Sequence, residues 1–283
     1  MSRFDDTASD AEASPLGKRV TYRDTYAPEL LFPIPRQPKR EELGLQAGGL
    51  PFHGEDLWNA YELSWLNARG KPVVAVGRFQ VPASSPRLIE SKSLKLYLNA
   101  FNQSRFASAE DVRALIEQDL SEACGAQVSV VLEMLAARPM RQASYPEGVL
   151  IDDLDVEVDV YSLMPDFLRA DPSRPEVSET LYSHLLKSNC LVTGQPDWGM
   201  LVVRYAGAPI DHEGLLRYVV SFRQHNEFHE QCVERVFCDI LQRCRPRELT
   251  VWARYTRRGG LDINPFRSTL EGACADNFFE IRQ

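Results

Sequence analysis

Apolar and polar positions along the chain follow one order twice. An apolar run, PVVAVGRF from Pro72, precedes YLNAFNQ at Tyr97–Gln103, and a second, GMLVVRYAG from Gly199, precedes YVVSFRQ at Tyr218–Gln224. One offset of 121 residues relates Tyr97 to Tyr218, Phe101 to Phe222 and Gln103 to Gln224. After the first copy, ASAEDVRALIEQDLSEACG puts Val112, Leu115, Ile116, Leu120 and Ala123 on one helical face, with Ser108 placed to cap it and Gly125 to end it. After the second, EQCVERVFCDILQRC does the same with Val233, Phe237, Ile240, Leu241 and Cys244. Each helix gives way to a strand-like run, AQVSVVLEML and then RELTVWARYT. Strand, helical segment, helix, strand, repeated, predicts an α+β chain in two halves, each an antiparallel sheet with helices packed on one face.

Between the copies, ARPMRQASYPEG has two prolines and a glycine and reads as a linker over residues 138–150. The first half is expected over 21–137 and the second, carrying Cys190, over 151–283. The second opens on IDDLDVEVDVY, which alternates acid with apolar residues at period two. That pattern predicts a strand with an acidic solvent face, although the same carboxylates could bind a metal. Residues 1–20 begin MSRFDDTASDAEASP, acidic, small and polar, and predict a disordered tail. That segment lacks the basic start and apolar core of a signal peptide, and no run of about 18 apolar residues occurs. A cytoplasmic protein with no membrane span is expected.

Composition narrows the function classes. Hydrophobic residues at 44% and charged residues at 25% are those of a globular protein, and 283 residues suffice for one large domain or two ordinary ones. A net charge of −8 argues against gripping nucleic acid by its phosphates, which needs a clustered basic surface. Local basic runs such as RYTRRGG, Arg254–Gly260, suit one small phosphorylated ligand instead. The six cysteines, Cys124, Cys190, Cys232, Cys238, Cys244 and Cys274, form no C-x-x-C, and the last helix spaces three of them by six, unlike zinc fingers or ribbons. Free thiols are expected, mostly as small buried apolar residues.

Signatures for a dinucleotide-binding βαβ unit, a P-loop, a nucleophile elbow and a helical zinc site are absent from the sequence. Three constellations remain. In SNCLVTGQPDWG, Ser188–Gly199, the turn formers Thr193 to Pro196 could fold Asp197 back towards Cys190. A thiolate beside a carboxylic acid suits addition to an electrophilic carbon with proton delivery to its neighbour. On spacing alone, a turn holding a buried cysteine and a capping aspartate is the commoner outcome. In HNEFHEQC, His225, His229 and Cys232 could hold zinc if one helix carried them all; a histidine and carboxylate gripping a polar heterocycle, or plain surface residues, fit equally. In ESKSLKLYLNAF from Glu90, Lys92 and Lys95 could form the solvated face of an amphipathic helix.

Together these stretches resemble the signatures of the queuosine-pathway nitrile reductases, the QueF family. ESKSLKLYLNAF looks like its nicotinamide-cofactor segment, SHLLKSNCLVTGQPDWG its active-site segment and FRQHNEFHE its substrate-gripping segment. The likeness runs from about Gly17, LGKRVTYRDTY, to the C-terminus, and the two-copy layout is similar to the family's long form with two tandem tunnelling-fold (T-fold) halves. What the resemblance implies is NADPH-dependent, four-electron reduction of the nitrile of 7-cyano-7-deazaguanine to the aminomethyl group, with two NADPH and no metal. Carried over, Cys190 is the nucleophile that forms a covalent thioimide, Asp197 the proton donor, and His229 the residue that contacts substrate and positions the thioimide. Ile89, Glu90, Ser91, Phe228, His229 and Glu230 would bind the substrate, the two carboxylates accepting N–H bonds from its guanine-like edge and Phe228 packing on its ring. Ser91, Lys92, Arg258 and Gly259 would hold NADPH, whose extra phosphate needs positive charge. The implied partners are a free base rather than tRNA or DNA, and at least a second copy of the chain, because T-fold units close into barrels by association. Two other readings stand beside it: a zinc-dependent cyclohydrolase-like enzyme using Cys190, His225 or His229 as ligands, and a non-catalytic binder of purine- or pterin-like ligands.

Overall fold

The computed structural model describes Ala13 and residues 22–46, 48–137 and 142–283. The tail expected over 1–20, Ala13 apart, and residues 138–141 of the expected linker lie outside the described residues. The fold is α+β, in two compact units: Met1–Ala47 with Asp56–Arg141 and Arg257–Ile263, and Gly48–Glu55 with Gln142–Thr256 and Asn264–Gln283.

In the first unit β1 (Pro33–Pro35) leads to a short helix α1 (Gln37–Glu42), the long strands β2 (His53–Asn67) and β3 (Pro72–Pro82), β4 (Arg87–Ile89), α2 (Ser91–Asn99), β5 (Arg105–Phe106), α3 (Ala109–Cys124) and β6 (Ser129–Met134). β3 stands between β2 and β6, β5 runs parallel to β2, and β1 pairs with β4. The helix expected after the first copy forms as predicted. Ser108 accepts from the Asp111 N–H while Asp111 accepts from the Ser108 N–H, and Gly125 ends the helix in the left-handed region. Its apolar face, Val112, Ile116, Leu120 and Cys124, packs into a core with Trp65, Phe79, Tyr97 and Phe101.

The second unit contains β7 (Val149–Leu150), β8 (Val177–Asn189), β9 (Pro196–Gly207), α4 (His212–Ser221), α5 (His229–Cys244), β10 (Glu248–Tyr255) and most of β11 (Leu261–Ser268). β8, β9, β10 and β11 form an antiparallel sheet, with β7 added parallel to β8. On one face Met200, Val202, Trp252 and Phe266 are covered by Ala273, Ala275 and Phe278. Strand alternation sends Leu201, Val203, Val251 and Ala253 to the other face. The apolar side of α5, with Val233, Phe237 and Ile240, is buried and packs on β10.

Contacts recur between the copies as the sequence repeat predicts. The Tyr97 hydroxyl donates to Asp119 at 2.6 Å, and the Tyr218 hydroxyl donates to Asp239 at 2.6 Å. Phe101 and Phe222 each meet their tyrosine edge-to-face at 5.3 Å. The backbone N–H of Gln103 donates to Asp24 O, and that of Gln224 to Tyr161 O. One expectation fails. Residues 151–161 are not a strand. Asp153, Asp155, Glu157 and Asp159 are exposed and alternate with half-buried Leu154, Val156, Val158 and Val160, so the extended pattern holds, but no neighbouring strand completes a ladder. Period-two patterning dictates which face is wet; it does not supply a partner. Among the described residues no helix is long and apolar enough to cross a membrane.

Candidate active site

β8 and β9 are a hairpin whose register pairs Ser188 with Asp197 and Asn189 with Pro196. Cys190 is the first residue past the ladder. Its N–H donates to Gln195 O at 2.8 Å, and its carbonyl accepts from the Gly194 N–H at 3.0 Å. Gly194 sits at φ 65, a left-handed position where glycine avoids the Cβ clash. The turn expected at Thr193–Pro196 therefore brings Asp197 back alongside the strand that ends at Cys190. Cys190 is only 6% exposed, and none of the six cysteines forms a disulfide.

Asp197 is a strand residue. It lies inside β9, buried, with its Oδ1 3.5 Å from His229 Nε2, long for a hydrogen bond. Asp197 and Gly199 share a face of β9; Ser188 is paired with the first and Tyr255 with the second, so all four project to the side on which α5 lies. His229 is the first residue of α5 and its imidazole lies 4.0 Å from the Tyr255 ring. The wholly buried Tyr255 phenol is pushed well above its ordinary pKa, first by burial and then by Cys232 and Asp197 nearby. Cys232, one turn into α5, is shifted upward likewise, by burial first and then by Glu227.

The segment before α5 is tied to the end of β8, next to Cys190. Asn189 N–H donates to His225 O at 2.8 Å, Glu227 N–H donates to Asn189 O at 3.1 Å, and Asn189 Nδ2 donates to Asn226 Oδ1 at 2.9 Å. Two motifs that the sequence separates are thus joined by one isolated parallel bridge. His225 precedes α5 with its Nε2 2.8 Å from Glu227 Oε2, so the helical His–His–Cys face considered for zinc does not form. Among the described residues no group of three or more His, Cys, Asp or Glu side chains is arranged to hold a metal. Phe228, half-buried, is the N-cap of α5 and its N–H donates to Gln231 Oε1 at 3.2 Å. Glu230 is buried in the first turn, where the helix dipole favours a carboxylate.

Glu227 anchors this bridge from below. Its buried carboxylate takes a fork of bonds from Arg235, with Nε–Oε2 at 2.9 Å. Burial works to raise its pKa, but the bonds from His225 and Arg235 win and hold it down at about 2. A carboxyl so depressed stabilises the fold fully above its unfolded value near 4.5 and loses that contribution as pH falls towards 2. Arg235→Ala leaves a buried charge with His225 alone and should cost about 3 kcal/mol at neutral pH. Thermal melts of wild type and variant should converge as pH falls from about 5 towards 3. A gap that widens in acid would contradict this assignment.

In the first unit, Ile89 ends β4, buried and paired with Pro33. Glu90 is the fully buried N-cap of α2, accepting the N–H of Lys92 at 2.7 Å and of Ser93 at 2.8 Å. Burial pushes its pKa up against these bonds. Oε1 also accepts from the Ser91 hydroxyl at 3.4 Å, whereas Oε2 accepts one N–H and keeps a further lone-pair direction, so the cap and a ligand contact are compatible. Ser91 and Lys92 begin α2, half-buried. Arg258, Gly259, Gly260 and Leu261 make a two-residue hairpin turn, with φ 61 and 81 at the glycines and the Arg258 N–H donating to Leu261 O at 2.9 Å. This turn meets α2. A Cβ on Gly259 would lie 3.1 Å from Lys95 Nζ, so the missing side chain leaves room between the turn and a lysine. Arg257 lies over the Tyr61 ring at 4.3 Å. Lys95, Arg257 and Arg258 thus gather at this turn, with the Glu62 carboxylate 3.7 Å from Lys95 Nζ, and the excess of positive charge is the chemistry a phosphorylated ligand requires.

Sequence reasoning selected Cys190, Asp197 and His229 but missed Ser188 opposite Asp197, Tyr255 against His229, Arg235 on Glu227 and, in the first unit, Arg257 over Tyr61. The profile described as "Nitrile reductase, 7-cyano-7-deazaguanine-reductase N-term" matches residues 22–132, and that described as "QueF-like protein" matches 196–273. The chain is similar to curated proteins named NADPH-dependent 7-cyano-7-deazaguanine reductase: it is 68% identical to that of Aromatoleum aromaticum over 273 residues, 96% of each chain. The identity is again 68%, over 96% of each chain, with that of an Azoarcus species, and 64% with that of Dechloromonas aromatica, over 98% of this chain and 97% of the relative. On these matches the chain belongs to the QueF family of 7-cyano-7-deazaguanine nitrile reductases.

Proposed function

We propose that the chain is an NADPH-dependent nitrile reductase converting 7-cyano-7-deazaguanine to 7-aminomethyl-7-deazaguanine in queuosine biosynthesis. The observation that carries this reading is the hairpin that closes on Cys190 and sets the buried Asp197 against His229, in a chain this similar to proteins so named. A nitrile carbon is electrophilic yet a poor direct hydride acceptor. The Cys190 sulfur adds to it, forming a C–S bond, and the nitrogen takes a proton from Asp197 to give a thioimide. His229, beside Asp197, contacts the substrate and orients that adduct. NADPH, when bound, supplies the two hydrides. Between the two reductions the C–S bond breaks, Cys190 leaves as thiolate, and the carbon becomes an imine; the second reduction and a further proton give the amine. The sum is one nitrile, two NADPH and two protons to one amine and two NADP⁺.

Glu230 and Glu90 accept N–H bonds from the guanine-like edge, Phe228 packs on the ring, and Ile89 and Ser91 complete the substrate contacts in this reading. Ser91, Lys92, Arg258 and Gly259 hold the cofactor. Gly259→Val places a side chain against Lys95 at a left-handed position, a strain of roughly 1–2 kcal/mol, and should raise KM for NADPH about tenfold. Substrate affinity measured without NADPH should not change. The same KM for NADPH would remove Gly259 from the cofactor contacts.

The paired contacts of Tyr97 and Tyr218 support two tandem T-fold halves, over about 21–137 and 151–283. T-fold units close by association, so the acting species is at least a homodimer. The net charge of −8 supports a free base as substrate rather than tRNA or DNA, and the proposed enzyme is cytoplasmic with no membrane partner. The test is NADPH consumption against added nitrile. Two NADPH per nitrile are expected, and no substrate-dependent oxidation would refute the activity.

A further inference from the structure

The imidazole of His229 is held in an unusual way. No hydrogen bond of ordinary geometry fixes its Nε2, which is buried, and Asp197 Oδ1 stands 3.5 Å off. The terminal torsion of a histidine is broad and roughly two-fold, so without such a bond its plane must be set by packing. The ring it meets is Tyr255, at a centroid distance of 4.0 Å and an interplanar angle of 41°. Tyr255 is itself closely surrounded. It is wholly buried at the end of β10, and its partner across the ladder is Gly199. A Cβ at that glycine would stand 3.0 Å from Tyr255 Cδ1, so the tyrosine occupies space that any other residue at 199 would take.

The hydroxyl of Tyr255 adds nothing comparable. It is buried without a hydrogen bond of good geometry, as is Ser188 Oγ. The Tyr255 hydroxyl faces Ser188 and the Cys232 thiol, away from His229, and phenylalanine would keep the ring in the same volume without those contacts. The ring, not the hydroxyl, is the part that touches His229.

We propose that Tyr255 is a positioning residue for the nitrile reduction, its ring fixing the imidazole plane of His229 opposite Asp197, with Gly199 providing the room. This rests on the function proposed above. Tyr255 touches no reacting atom in this account; it acts through His229. Displacing a reacting group by about an ångström can cost on the order of a hundredfold in rate while leaving binding intact.

The test uses the full chain and follows covalent adduct formation from 7-cyano-7-deazaguanine without NADPH, beside substrate affinity by calorimetry. Tyr255→Leu should form the adduct roughly 10- to 100-fold more slowly than wild type, with substrate Kd changed less than about threefold. Tyr255→Phe should keep the adduct rate within about threefold of wild type, because the ring that meets His229 remains. Gly199→Ala, which pushes the ring without removing it, should reproduce the slow adduct formation and covers the case in which Tyr255→Leu folds poorly. The inference is overturned by wild-type rates in Tyr255→Leu, by a Tyr255→Phe as slow as Leu, or by loss of affinity in parallel with rate. Absence of any adduct in wild type would instead sink the function on which the inference rests.

Discussion

Cys190→Ala loses nitrile reduction altogether, by on the order of 10⁵-fold or more, while the protein stays folded and still binds its substrate. The hairpin loop supports this separation of chemistry from structure. The bonds that close it, Cys190 N–H to Gln195 O and Gly194 N–H to Cys190 O, belong to the main chain and survive truncation of the side chain. Replacing one small buried residue by alanine should cost about 1 kcal/mol of stability. Cys232 cannot substitute as nucleophile, because burial raises its thiol far above the ordinary range and it lies inside α5. The measurement is steady-state NADPH oxidation beside calorimetric substrate binding. Residual turnover within about a hundredfold of wild type would show that the carbon is reduced without a covalent step.

Asp197→Asn should be the second most damaging change, slowing adduct formation about 10²- to 10⁴-fold. Asparagine has the same shape, so the contact with His229 and the place in β9 persist, but an amide has no acidic proton for the nitrile nitrogen. Thiol addition would then leave an unprotonated nitrogen anion and revert. Substrate Kd should move little, which separates the acid role from a binding role. Rapid-mixing adduct kinetics decide it: an unchanged rate in Asp197→Asn would remove Asp197 from proton delivery.

Much of the fold was readable because local signals agreed with the tertiary arrangement. Ser108, Asp111 and Gly125 bound α3 by chemistry that acts within a few residues, and the repeated Tyr and Phe positions recur as matching edge-to-face pairs. Residues 151–161 misled because alternation encodes a wet and a dry face, whereas a strand also needs a neighbour. The turn at Thr193–Pro196 revealed that Asp197 returns towards Cys190. It could not reveal that Ser188 and Tyr255 share that face, which follows from register with β8 and β10. Tyr255 itself reads as one more core aromatic in RELTVWARYT. Glu90 as an N-cap was hidden because short Ser, Thr, Asp and Asn side chains dominate that position. Arg235 lies eight residues from Glu227, outside the helical i+3 and i+4 pairs, and only the loop before α5 brings them together. The meeting of Gly259 with Lys95 is a contact between distant segments, with no local signature.

The central claim is a covalent bond between Cys190 and the nitrile carbon. Intact-mass analysis of the full chain, mixed with 7-cyano-7-deazaguanine in the absence of NADPH, tests it most directly. The account predicts one added substrate mass per chain, absent in Cys190→Ala and discharged when NADPH is supplied. Protein of unshifted mass that nonetheless consumes NADPH with the nitrile would contradict it.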